Sequence, residues 1–107
     1  MTTTTANKLE LLSPATLGDM KLENRMILAP LTRTRAADGF VPQPMNTIYY
    51  AQRASAGLII SEATQVARNG LGYANTPGIY NQQQIEGWKE ITKAVHDKGG
   101  KIFLQLW

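Results

Sequence analysis

Three short runs of nearly unbroken apolar character, Arg25-Met-Ile-Leu-Ala29, Leu58-Ile-Ile60 and Lys101-Ile-Phe-Leu-Gln-Leu-Trp107, are separated by two stretches with helical spacing. Strands that are apolar throughout need cover on both faces, and strands separated by helices pair in parallel. The order strand–helix–strand–helix–strand leaves two common architectures, the doubly wound open sheet and the (β/α)8 TIM barrel. The open nucleotide-binding sheet places a glycine-rich phosphate turn after its first strand. Here that place holds Ala29-Pro-Leu-Thr-Arg33, and neither G-x-G-x-x-G nor a P-loop occurs anywhere. The weight moves to an α/β (β/α)8 barrel, with this chain supplying an N-terminal hairpin, the first three strands and two helices. A barrel needs eight strands and typically about 250 residues, more than the 107 present. The third strand would keep a bare edge. The chain is therefore expected to be the N-terminal part of a larger assembly, completed by a second polypeptide segment.

The first helical pattern spans Met45–Ala56, with Met45, Ile48, Tyr49 and Gln52 at three- and four-residue spacing. Pro44 suits its first turn, where the missing N–H does no harm. Gly57 is expected to close it in the left-handed conformation. The second pattern begins after Asn81, a suitable N-cap, and puts Ile85, Trp88, Ile91 and Val95 on one face. Glu86 and Glu90 lie early, and Lys93 and Lys98 late, as the macrodipole favours. Gly99-Gly100 ends the pattern. Ahead of the first strand, Leu9–Glu23 alternates apolar pairs with turn residues and reads as a small hairpin. Asn69-Gly70, between Thr64–Arg68 and Leu71–Tyr73, predicts a second hairpin, because both residues tolerate positive φ. Residues 1–8, rich in Thr, read as a disordered tail, and 9–107 as part of one domain.

Apolar residues at 43% and charged residues at 18% are ordinary for a globular protein. The absence of Cys excludes disulfide scaffolds, Cys-type zinc sites and thiol nucleophiles. A net charge of +3, without a basic stripe, argues against nucleic-acid binding. No apolar run approaches the roughly 18 residues of a membrane span, and the N-terminus has no signal-peptide core. The expectation is a soluble, cytoplasmic protein without a membrane partner.

In a (β/α)8 barrel the active site gathers at the C-terminal ends of the strands. Those ends are Pro30-Leu31-Thr32, Ser61-Glu62-Ala63-Thr64 and Gln105-Leu106-Trp107. A metal or phosphate site would want carboxylates, histidines or basic groups there. A neutral, flat, hydrogen-bonding ligand would want what is present: a Thr32 hydroxyl, a Gln105 amide, and the small Ala63, which lets backbone N–H groups approach a ring. Spacing alone leaves open that Thr32 and Gln105 are merely satisfied loop residues.

Glu23–Arg33, Tyr49–Thr64, the helix end His96-Asp-Lys-Gly-Gly100 and Gln105-Leu-Trp107 resemble the Old Yellow Enzyme family of flavin-dependent ene reductases, in order and spacing, over nearly all of 10–107. The resemblance implies an FMN-binding (β/α)8 barrel, with NAD(P)H as reductant and an activated alkene as substrate. It implies that Pro30 and Leu31 lie against the isoalloxazine ring and that the Thr32 hydroxyl bonds flavin O4 and tunes its potential. Thr rather than Cys at this position marks one branch of the family. It further implies that the Ala63 backbone faces the N5/O4 edge, that Gln105 bonds the pyrimidine side, and that Tyr73 and Trp107 line the substrate pocket. Leu28, where the family often has Met, departs from the pattern in packing only. The family's substrate-holding His/His or His/Asn pair, tyrosine proton donor, flavin-binding arginine and phosphate loops would lie beyond Trp107. No catalytic residue is therefore assigned within this chain.

His96 reads as a surface residue in the last helical turn. Glu62 has the alternatives of a general base, a structural bond to backbone, or a salt bridge with Arg25 or Arg53. Trp88 reads as core, and Tyr49-Tyr50 as a wedge between the first helix and the sheet. Two other functional classes stay open: a non-catalytic complementing fragment of a split barrel, and a small flavodoxin-like binding module.

Overall fold

The computed structural model describes residues 9–107; the tail expected over 1–8 lies outside the described residues. A single 3-10 turn, Glu10–Leu12, leads into a hairpin of β1 (Ala15–Leu17) and β2 (Met20–Leu22). The two strands are antiparallel and turn at Gly18, whose φ of 59° suits a residue without Cβ. Then come β3 (Ile27–Leu28), α1 (Pro44–Ala51), β4 (Leu58–Ile60), α2 (Gln82–Asp97) and β5 (Ile102–Phe103). β3, β4 and β5 form one parallel sheet in chain order, with Leu28 opposite Ile59 and Ile59 opposite Ile102.

Both helices pack on the same face of this sheet. Tyr50 and Ala54 join Trp88, Ile91 and Val95 around Ile59, with Leu28 and Ile102 packed against them. Their strand neighbours Ile27 and Phe103 point the other way and are 47% and 55% exposed. The expectation of cover on both faces therefore fails among the described residues. The reason is topological: right-handed crossovers between parallel strands added in one direction put their helices on one face, in a barrel and in one half of a doubly wound sheet alike, and a barrel turns the other face inward. One-sided helices over sequential parallel strands fit a barrel portion.

α2 forms as its sequence predicts. Asn81 Oδ1 accepts from the Gln84 N–H at 2.9 Å. At the other end Gly99, with φ of 80°, carries a Schellman closure, in which the Gly100 and Gly99 N–H groups donate to the Val95 and His96 carbonyls. Trp88, Ile91 and Val95 are buried, and Ile85 is half-buried.

α1 differs from expectation in length and face. It ends at Ala51, after which Arg53, Ala54 and Ala56 bond three residues back in tighter turns. The Arg53 guanidinium takes the Tyr49 carbonyl at 2.9 Å, the acceptor its own amide would need in a longer helix. The buried positions are Asn46, Tyr50 and Ala54, while Met45, Ile48 and Gln52 are exposed. Asn46 is held there by a reciprocal cap, its Oδ1 accepting from the Gln43 N–H at 2.8 Å. Gly57 does not adopt a left-handed conformation; it is required because a Cβ would stand 2.1 Å from the Asn24 carbonyl oxygen. Asn24 ties this crossing together, its Oδ1 accepting from Met26 and Gly57 N–H groups and its Nδ2 donating to the Ser55 carbonyl.

The second hairpin does not form. Arg68–Gly70 is a 3-10 turn instead, and Gly70 lacks a positive φ. The Thr64-Gln65 segment already uses both of its edges, Thr64 pairing with Leu106 and Gln65 with Gly78. No edge is left for Leu71–Tyr73.

Candidate functional site

The three C-terminal strand tips lie side by side because their strands are neighbours in register. Ile60 pairs with Phe103, and Thr64 pairs with Leu106. Four steps along one chain thus match three along the other, a one-residue bulge within Ser61–Ala63 that re-aims the side chains around it. Ser61 Oγ accepts from the Gln105 N–H at 3.1 Å, and the Thr64 N–H donates to the Gln105 carbonyl at 2.9 Å. Ser61 and Thr64, which flank Ala63, are joined to Gln105 in this way, and Thr32 follows the end of adjacent β3 by four residues. Leu31, Thr32 and Gln105 are exposed, and Pro30 and Ala63 half-buried. Among the described residues, the Thr32 hydroxyl and the Gln105 amide make no hydrogen bond that would occupy them. The tips therefore offer a hydroxyl, an amide and a small residue on an open surface, with no exposed charge at Pro30-Leu31-Thr32, Ala63 or Gln105.

Tyr73 and Trp107 also come together, though 34 residues apart. Their rings stack at 5.7 Å between centroids and 16° between planes. Gly72 makes this possible, since a Cβ there would stand 2.6 Å from Trp107 Cη2. The strand side of the stack is anchored by Trp107 N–H donating to the Thr64 carbonyl and Val66 N–H donating to the Trp107 carbonyl. The loop side hangs on buried Gln65 and Thr76. Gln65 Nε2 donates to the Thr76 carbonyl, and Thr76 Oγ1 lies 3.0 Å from Gln65 Oε1 and 3.2 Å from the Tyr73 carbonyl. No local spacing marks Gln65 and Thr76, because each partner is set by the fold.

Glu62 is neither an open general base nor a salt-bridge partner of Arg25 or Arg53. Its Oε2 accepts from the Tyr50 hydroxyl at 2.6 Å, and its own N–H donates to that hydroxyl at 3.0 Å. The side-chain partner is Tyr50 on the helix, with the Arg33 backbone also acting on the carboxyl. Burial pushes the Glu62 carboxyl up, against the pull of the Tyr50 hydroxyl and of the Arg33 backbone and guanidinium. Burial and the nearby Glu62 carboxylate push the Tyr50 phenol up as well. Arg25 instead pairs with Glu10 at 3.4 Å, and the Arg53 and Arg33 guanidinium groups lie over the Tyr49 ring at 4.0 and 4.2 Å. Tyr50 is the wedge expected of the tyrosine pair, and Trp88 is core, its indole N–H donating to the Gly78 carbonyl at 3.1 Å. His96 is exposed at the end of α2.

A hollow of about 310 Å3 lies at the other end of the sheet, between Met26, Ile27, Leu28 and Ala56. Gln52, Arg53 and Ser55 also line it, but it lies away from the C-terminal strand ends, where a barrel carries its chemistry. Among the described residues no three His, Asp or Glu side chains gather as metal ligands, and no helix is long and apolar enough to cross a membrane.

Residues 10–107 match the NADH:flavin oxidoreductase / NADH oxidase family. The chain is 53% identical over 100 residues to chanoclavine-I aldehyde reductase of Penicillium roqueforti, covering 92% of this chain and 27% of that protein. It is 52% identical over 103 residues to 12-oxophytodienoate reductase 1 of Oryza sativa, covering 95% and 27%. Among solved structures, an Old Yellow Enzyme homologue from Zymomonas mobilis superposes with a TM-score of 0.88 at 52% identity, over 92% of this chain and 28% of that one. Morphinone reductase in complex with tetrahydroNAD gives 0.88 at 54% identity, over 94% and 27%. The chain thus spans little more than a quarter of the proteins it matches. With neutral strand tips, helices on one face and this extent of similarity, the chain belongs to the NADH:flavin oxidoreductase family of Old Yellow Enzyme.

Proposed function

We propose that the chain forms the first three strands of an FMN-binding (β/α)8 barrel that reduces C=C bonds activated by a carbonyl or nitro group, in enones, enals or nitroalkenes, with NAD(P)H as reductant. The observation that carries this reading is the sequential parallel order of β3, β4 and β5 with both helices on one face, and neutral residues, Thr32, Ala63 and Gln105, in the segments that follow the three strands. Their chemistry fits an isoalloxazine ring, whose rim needs hydrogen-bond donors and acceptors without formal charge. When bound, FMN supplies hydride transfer, which no side chain here can perform.

The chain's own residues bind and orient. Pro30 and Leu31 offer main chain and an apolar side chain to the ring. Thr32 presents a hydroxyl to its carbonyl edge, where a hydrogen bond stabilises the electron-rich reduced form more than the oxidised form. Ala63 leaves room for close main-chain approach, and Gln105 offers donor and acceptor together to the pyrimidine edge. The Tyr73–Trp107 stack walls the space where substrate would lie. The proton donor and the groups that hold the substrate's activating group come from outside this chain in this reading. So does the segment that covers Ile27 and Phe103 and completes the barrel, in a protein of cytoplasmic location. The relatives support the substrate class, their names describing reduction of an aldehyde, 12-oxophytodienoate and morphinone. The tetrahydroNAD complex supports a nicotinamide reductant.

The test is FMN titration and potentiometry on the complete enzyme. Gln105→Ala is expected to weaken FMN binding by about tenfold, the loss of roughly one well-placed hydrogen bond. Thr32→Ala is expected to lower the flavin potential and slow reduction by NAD(P)H. Unchanged affinity and unchanged potential would remove the assignment.

A further inference from the structure

α1 and the segment that follows β4 are joined by one phenol that holds both the side chain and the main chain of the same residue. The Tyr50 hydroxyl donates to Glu62 Oε2 at 2.6 Å and accepts from the Glu62 N–H at 3.0 Å. Tyr50 and Glu62 are each 1% exposed, and Glu62 Oε1 has no hydrogen-bond partner among the described residues. A buried carboxyl with an unpartnered oxygen is a poor source of stability, since apolar packing of the same volume generally does as well or better. Its position is informative. Glu62 lies inside the bulge, one residue before Ala63, and its amide cannot move without carrying Ala63 with it. Regular alternation from Ile59, which faces the helices, would turn Glu62 to the opposite face. The bulge brings it back to Tyr50. The pull of Arg33 on the Glu62 carboxyl also places it within electrostatic reach of the loop that carries Thr32.

We propose that Tyr50 and Glu62 are a buried pair of positioning residues that fixes the Ser61–Thr64 tip, and through it the Ala63 backbone, at the edge of the flavin. The inference rests on the flavin-binding reading above and adds to it two residues that touch neither cofactor nor substrate. Tyr50 acts by holding the Glu62 amide at a set height above the sheet; Glu62 acts by keeping the phenol hydroxyl pointed at that amide. The helix side of the sheet thereby sets the geometry of the opposite, reactive end.

The experiment uses the complete holoenzyme with Tyr50→Phe, Glu62→Asp and Glu62→Gln, reading FMN affinity, flavin midpoint potential, the visible flavin spectrum and the melting temperature. Tyr50→Phe removes both bonds and nothing else. It is expected to weaken FMN binding by about three- to tenfold, the usual scale for a lost buried hydrogen bond, with a shifted potential and absorption maximum. Glu62→Asp shortens the reach to the phenol and is expected to move the spectrum and potential in the same direction, which serves if Tyr50→Phe does not fold. Glu62→Gln keeps an oxygen for the phenol and the same length, and is expected to restore affinity to within about twofold of the parent. A fall in melting temperature with unchanged affinity, spectrum and potential would make the pair a stabilising contact only and overturn the proposal. A parent enzyme that holds no FMN would remove the underlying flavin reading as well, and that result is seen before any variant is made.

Discussion

Gly72→Ala isolates the aromatic wall from everything else at the site. The new Cβ would meet the Trp107 ring at 2.6 Å from Cη2, 3.3 Å from Cζ3 and 3.4 Å from Cζ2. Ordinary carbon contact begins near 3.5 Å, so the ring edge must retreat by about 1 Å. Gly72 has no positive φ, so alanine strains no backbone. Trp107 is 47% exposed and can swing towards solvent, which holds the stability cost to about 0.5 kcal/mol. The Tyr73–Trp107 stack is lost, an interaction worth about 0.5–1.5 kcal/mol. If both rings wall the substrate space, that energy appears as discrimination between substrates of different bulk, about two- to tenfold. The assay compares kcat/KM of the complete enzyme for a small open-chain enone and a bulky cyclic one. The ratio is expected to change in that range, with little change in melting temperature. In a Trp107→Ala background the same substitution is expected to do nothing, because the clashing ring is gone. An unchanged ratio, or an equal effect in both backgrounds, refutes the argument.

Asn24→Ala removes three hydrogen bonds at the crossing of the β3 and β4 starts and is expected to cost about 1.5–3 kcal/mol, measured by denaturant unfolding of the complete enzyme. Gly57→Ala drives a Cβ into the Asn24 carbonyl, whereas Gly99→Ala meets nothing within 4 Å and only strains a φ of 80°; the first is expected to destabilise more than the second, by about 1 kcal/mol or more. The raised Glu62 carboxyl makes folding bind a proton, so its contribution is complete at acid pH and declines as pH rises from the ordinary carboxyl range through the folded value. Glu62→Gln, which cannot ionise, is expected to flatten that part of the stability–pH curve; an identical slope in parent and variant would contradict the buried, proton-holding assignment.

The sheet and α2 were legible in the sequence because their signals are local and mutually consistent. Continuous apolar runs identify parallel strands, Asn81 caps the helix it precedes, and Gly99 supplies the left-handed residue the Schellman closure needs. α1 was less legible. Its most periodic residues, Met45 and Ile48, are exposed, while polar Asn46 and amphipathic Tyr50 are buried, because a cap and a carboxylate on another element satisfy them. Asn69-Gly70 carries a sound hairpin signal, overridden when Gln65 and Thr64 pair with distant partners. Gly57 is required for space beside Asn24, a contact across 33 residues, and not for a left-handed cap. At the candidate site the same division holds. Residue type at the strand ends determined the chemistry on offer, a hydroxyl, an amide and a small side chain, since function groups are covalent properties of the chain. Only the tertiary structure decided that Tyr73 meets Trp107, that the bulge turns Glu62 towards Tyr50, and that both helices leave one face of the sheet free. These depend on which surfaces meet after the chain has folded back on itself, and no local periodicity encodes that.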